Sequence, residues 1–171
     1  MLNNLFLFLY GALFAGILQA QTVIEHIPNN TPDHRYTLHG DGTVTDIATG
    51  LMWQRCSLGQ TWDGSTCNGS ASTYKWQGAL PQGDSNSFAG YNDWRLPNVN
   101  ELLSIAAYDR HTPAINTTVF PNTPSGNYWS SSPDARLNYA AAFVGFHYGR
   151  SFSDGNRSAT YYAVRLVRGG Q

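Results

Sequence analysis

Hydrophobic positions in this chain fall in short runs, and turn residues interrupt them every few positions. In RYTLHGDGTVTDIATGLMWQRC, residues 35–56, apolar and β-branched runs are separated by Gly-Asp-Gly and Ala-Thr-Gly. Short alternating runs bounded by such turns predict a meander of strands at 36–38, 43–46 and 51–55. STYKWQGAL, residues 72–80, places Trp76 and Leu80 one turn apart with Ser72 in N-cap position, so a short helix is expected there. A second helix is expected in RLPNVNELLSIAAYDR, residues 95–110. Asn98 is its cap, and Glu101 follows at capping-box spacing. Leu102, Ile105 and Ala106 form its apolar stripe. Trp94 and Leu96 read as a short strand leading in, and Asp93, Arg95 and Glu101 as an ion-paired network. This stretch is expected to be scaffold rather than site.

Further on, a strand is expected near 128–132. The run from Tyr139 to Phe146 reads as a buried strand. HYGR, residues 147–150, reads as a hairpin turn into a strand near 150–153. YYAVRLVRG, residues 161–169, reads as one closing strand, with Val164 and Leu166 on one side and Arg165 and Val167 on the other. Short antiparallel strands, two short helices and long ordered loops make an α+β domain. Residues 21–35, with two prolines among polar residues, read as an irregular lead-in to a domain over 36–171.

The first twenty residues change the picture of where that domain works. Leu5 to Leu18 form an apolar run of signal-peptide length, and Ala20 is a small residue before a cut. A cleaved export signal over 1–20 is expected, with a retained N-terminal anchor as the alternative. The mature chain carries no membrane span, and its expected location is the periplasm, the cell surface or the medium. In that setting Cys56 and Cys67, with Gly and Ser between them, read as a disulfide.

Aromatic residues are plentiful at 13 %, charged residues few at 12 %, and Lys75 is the only lysine. This is not the profile of a nucleic-acid binder, and neither GxGxxG nor a P-loop is present. Gln21 to Ser130 holds five basic and nine acidic residues, whereas Arg136, Arg150, Arg157, Arg165 and Arg168 face only Asp134 and Asp154 beyond it. A basic C-terminal third fits solvated arginines or a patch for an anionic ligand.

Four stretches in one order, GDGTVTDIATGLMWQRC, GYNDWRLPNVNELLSI, YWSSS and YAVRLVRGG, resemble the Lcl C-terminal domain family. The resemblance spans about residues 36–170. It implies an exported module with a C-type-lectin-like fold, akin in fold to formylglycine-generating-enzyme-like domains. The family's namesake is a collagen-like surface adhesin that binds sulfated glycosaminoglycans. This chain has no Gly-X-Y tract, and it has Leu166 where relatives often carry a Cys.

An enzyme is not expected, and no residue is assigned a catalytic role. The cysteines precede the first helix, unlike the late pair of formylglycine-generating enzymes. No G-x-S-x-G is present. His26, His34 and His39 are irregularly spaced, Asp41, Gly42 and Asp46 read as a turn rather than a calcium loop, and neither metal nor cofactor is expected. The expected activity is ligand binding through the C-terminal hairpin and flanking loops. Sugar rings stack on aromatic side chains, and arginine forks match sulfate or carboxylate. The candidate contacts are His147, Tyr148, Arg150, Asp154, Asn156, Arg157 and Tyr161. The expected partner is an extracellular glycan, with a polyanionic one foremost. The alternative is a surface protein, met by a structural subunit or by a hypervariable lectin-like face.

Overall fold

The computed structural model describes residues 21–169. The expected export signal over 1–20 lies outside them. In chain order the elements are β1 (Thr22–Val23), β2 (Tyr36–Leu38), β3 (Thr43–Asp46), β4 (Leu51–Gln54), β5 (Thr61–Trp62), β6 (Cys67–Asn68), β7 (Thr73–Tyr74), α1 (Trp76–Ala79), α2 (Val99–Ser104), β8 (Arg110–His111), β9 (Asn127–Pro133), β10 (Ala140–Gly145), β11 (Arg150–Asn156), β12 (Tyr162–Ala163) and β13 (Val167–Arg168). The domain is mostly β-sheet with few, short helices. Its main sheets have the orders β11-β10-β9-β12-β7 and β13-β4-β3-β2, and two-stranded pairs join β1 to β8 and β5 to β6.

The meander at 36–54 forms as its pattern predicts, because its turns are built from side chains. The Asp46 carboxylate accepts from Ala48 N–H (3.1 Å) and Thr49 Oγ1 (2.8 Å), closing the turn between β3 and β4. Arg35 clamps the same carboxylate with two hydrogen bonds of 2.7 and 2.5 Å. Burial penalises the Asp46 charge, but the bonds from Arg35 and Thr49 outweigh it and hold the carboxyl below its usual range.

Alternation along β9 and β10 divides the core in two, as successive side chains of a strand point to opposite faces. Tyr128, Val144 and Phe146 join Val44, Trp53, Leu102, Ile105 and Phe120 on one side. Trp129, Ala141 and Phe143 join Trp94, Leu96, Val164 and Leu166 on the other. Gly155 on β11 lies under the Trp129 ring, and a Cβ there would stand 2.6 Å from it.

The capping box at the start of α2 is present: Glu101 N–H donates to the Asn98 side chain (2.9 Å), and Asn98 N–H donates to the Glu101 carboxylate (2.8 Å). Leu102, Ile105 and Ala106 are fully buried, as the stripe requires. Arg95 completes the frame with a two-pronged bond to Glu101 at 2.8 and 2.7 Å.

Four expectations need correction. The segment 72–80 is not one helix: Thr73 and Tyr74 pair with β12, and α1 starts only at Trp76, with Lys75 rather than Ser72 in the N-cap position. Strand pairing overrides local helix preference here, and a 3-10 turn over Leu80–Gln82 containing Pro81 takes over from α1. Trp94 and Leu96 are buried, but the backbone between them makes one bridge, Arg95 to Val167, and no strand. Asp93 is not part of the Arg95–Glu101 pair; it accepts from Arg168 Nε at 2.7 Å. The closing stretch is not one strand. β12 belongs to the five-stranded sheet and β13 to the four-stranded one. Between them Val164 and Leu166 accept backbone bonds from Leu58 and Gln54, so the segment staples the two sheets together.

The lead-in is irregular but fastened to the domain. Asn30 donates to Ala106 O and accepts from Tyr108 N–H, each at 2.8 Å.

Candidate functional site

Four segments far apart in sequence enclose a cleft of about 690 Å³. The first is the disulfide loop. Cys56 and Cys67 are bonded, with Cα atoms 5.4 Å apart, and Cys67 to Ala71 form one wall. The second is the stretch from Asn122 to the start of β9. Amide side chains tie these two walls together. Asn122 Nδ2 donates to Cys67 O (2.8 Å), and Gln60 Nε2 donates to Asn122 O (3.0 Å). Asn122 itself sits at φ 50°, a left-handed conformation that Asn tolerates better than most residues. The third and fourth segments bring His147 from the hairpin and Tyr161 to Ala163 from the strand that follows it.

The lining is neutral and rich in groups that both donate and accept. Asn68, Ser70, Thr73 and Asn127 contribute amides and hydroxyls, and Tyr161 contributes an aromatic ring that is 57 % exposed. Lys75 Nζ stands 5.5 Å from the centroid of that ring. The His147 ring is held through Nδ1, 3.0 Å from Ser125 Oγ. No Asp, Glu, Lys or Arg is among the lining residues.

Beneath the cleft the charge is different. Tyr128 forms part of the floor, and its hydroxyl is 2.7 Å from Ser57 Oγ. Behind it Arg165 is fully buried and donates to Gln54 O, Arg55 O, Ser57 Oγ and Thr123 Oγ1. Its guanidinium lies 4.9 Å from the Phe120 ring. Burial brings its pKa down to about 10. Arg165 is a structural cross-link between the closing segment and residues 54–57, not a surface cation.

The structure divides the seven expected contacts. His147 and Tyr161 meet in the cleft. Tyr148 and Arg150 lie instead in a separate groove with Ile24, Ile27 and Tyr108. Asp154 is exposed on β11. The Asn156 side chain accepts from Ser158 N–H and Ala159 N–H and builds a turn. Arg157 Nε donates to Ala140 O at 2.7 Å, and its guanidinium lies over Trp76 at 4.4 Å. Arg168 is paired with Asp93. Of the five arginines beyond Ser131, Arg136 and Arg150 are exposed, so the count in the sequence does not become five free charges. Among the described residues no three His, Cys, Asp or Glu side chains gather as a metal site would need.

The cleft walls and the two sheets that carry them lie within one stretch, and a family model, the Lcl C-terminal domain, matches residues 42–168. The chain belongs to the Lcl C-terminal domain family. The matched range runs from the first meander turn to the end of β13, so in this Lcl C-terminal domain the disulfide loop, α2 and the closing staple are all inside the family unit. Among curated proteins none matches the chain.

Gln60, Asn68, Asn122 and Asn127 were not foreseen as site residues. The available signal was weak: Asn, Gly and Ser gather at residues 68–70 and again at 122–127. Nothing in either stretch says that the two face each other.

Proposed function

We propose that this domain is an exported, non-catalytic binding module of C-type-lectin-like architecture, and that its ligand is an extracellular glycan seated in the cleft. The carrying observation is the lining itself: paired amides and hydroxyls beside a half-exposed tyrosine ring, in a concavity of about 690 Å³. Neutral groups that donate and accept match sugar hydroxyls, and an aromatic ring offers a face to the C–H side of a pyranose. The disulfide and the Asn122 and Gln60 ties support the reading, since walls fixed before binding lose little entropy when a ligand arrives. The polyanionic version of the ligand rests on Arg150, because Arg157, Arg165 and Arg168 are engaged within the domain and Arg136 faces Asp134 at 3.8 Å.

A glycan array probed with residues 21–171 tests this. Binding to a defined sugar that Tyr161→Ala and Asn127→Ala both abolish, with unchanged melting, is the expected result. An array that stays silent removes the glycan and leaves a protein partner. Heparin retention that depends on Arg150 and survives Tyr161→Ala moves the ligand seat from the cleft to the hairpin.

A further inference from the structure

A second concavity, of about 360 Å³, shares no lining residue with the cleft. Ile24, Ile27, Tyr108, Arg110, Tyr148 and Arg150 surround it. Its side chains are unusually apolar for a surface: Tyr148 is 69 % exposed, Tyr108 47 %, Ile27 41 % and Ile24 38 %, with Val23 beside them at 58 %. The cations on it differ. Arg110 is bound in two places to Asp109, at 3.0 and 2.9 Å, and that pair is close to neutral. Arg150 is exposed and has no ion-pair partner among the described residues.

The chain enters the domain beside this groove, at a fixed point. Gln21 Nε2 donates to Pro113 O (2.5 Å) and Ile115 O (2.7 Å), and Gln21 Oε1 accepts from Thr117 Oγ1 (3.2 Å). β1 then pairs with β8, and Ile24 N–H donates to Asp109 O at 2.6 Å. The apolar run from Leu5 to Leu18 is therefore joined to a rigid part of the fold, with Gln19 and Ala20 between. An extended residue spans at most about 3.6 Å, so with that run in a bilayer Gln21 lies within about 11 Å of it. The groove would then be held at the headgroups, and cleavage at Ala20 leaves the same side chains exposed at the new terminus.

We propose that this end of the domain is a membrane-apposed face that rests on anionic phospholipid. Tyrosines suit the headgroup level, where a ring is half apolar and half wet. Ile24 and Ile27 enter the acyl boundary, and Arg150 meets a phosphate with its planar fork.

Residues 21–171 are the right probe, because the apolar run would insert by itself and both core clusters are built from residues between Tyr36 and Val167. The protein is sedimented at low salt with vesicles of phosphatidylcholine alone or mixed with phosphatidylglycerol. Pelleting with the mixed vesicles, and less with the neutral ones, is expected. Arg150→Ala should lower that partitioning about five-fold, the effect of one surface cation. Ile27→Ser with Tyr148→Ser should bring it to background while leaving circular dichroism and melting unchanged. The proposal is overturned by a wild-type protein that stays in solution with both vesicles, or by a double variant that pellets as well as wild type. It also falls if residues 21–171 form a dimer that the double variant makes monomeric, since the groove is then a self-interface.

Discussion

Replacing Glu101 by alanine removes two interactions at once, and their sizes follow from the geometry. The first is the cap: the Glu101 carboxylate accepts from Asn98 N–H at 2.8 Å, one of the donors at the start of α2 that no helical carbonyl reaches. Cap losses cost about 0.5–2 kcal/mol. The second is the two-pronged bond from Arg95, whose side chain is 31 % exposed against 15 % for Glu101. A pair this open to solvent is screened, and about 0.5–1 kcal/mol is a fair share for it. Together the loss is about 2 kcal/mol, which for a domain of this size lowers Tm by roughly 4–8 °C. Thermal unfolding followed by circular dichroism reads this directly. Glu101→Gln separates the parts, as its amide oxygen still accepts from Asn98 while the charge is gone, so it should lose less than half as much. If Glu101→Ala melts with wild type, the frame argument for residues 90–110 is wrong. If it melts with wild type and also loses ligand, the site is there and not in the cleft.

Three other outcomes are expected. Reduction should add two hydrogens to the intact mass, and a Cys56→Ser/Cys67→Ser variant should lose about 3 kcal/mol of stability in urea titration, the chain-entropy value for so short a loop; two thiols that alkylate freely in native protein would refute the crosslink. Gly155→Ala should cost about 1–3 kcal/mol by pushing its methyl into Trp129, where the contact would be 2.6 Å, and an unchanged urea midpoint would show that the sheet yields. Acid should weaken the fold through Asp46. Its pKa is lower folded than its ordinary value of 3.8, so its contribution is complete above that value and is lost as pH falls through the lower folded one. Urea midpoints should therefore start to drop as pH falls below the ordinary value of 3.8 and go on dropping until the folded carboxylate is protonated, and Asp46→Asn should be less stable at neutral pH with a flatter slope in acid.

The meander at 36–54, the α2 cap and the central β9–β10 alternation were readable in the sequence because each depends on residues close together in it. An Asx turn, a capping box and a period of two are local devices, so spacing alone determines them. The disulfide was readable too, since the chain has only two cysteines. What the sequence could not decide is what distant segments do to one another. Thr73 and Tyr74 looked helical, and pairing with Tyr162 made them strand. The run from Tyr161 to Gly169 looked like one strand, yet the two sheets needed a connection, and Arg165 was drawn into the core to donate to residues 54–57 and Thr123. The C-terminal arginines fitted either solvated charges or a basic patch, because charge is counted along a chain, whereas exposure and pairing exist only in three dimensions. The cleft is the clearest case: its walls come from residues 60–73, 122–128, 147 and 161–163, and only folding brings their ordinary amides and hydroxyls to face one another.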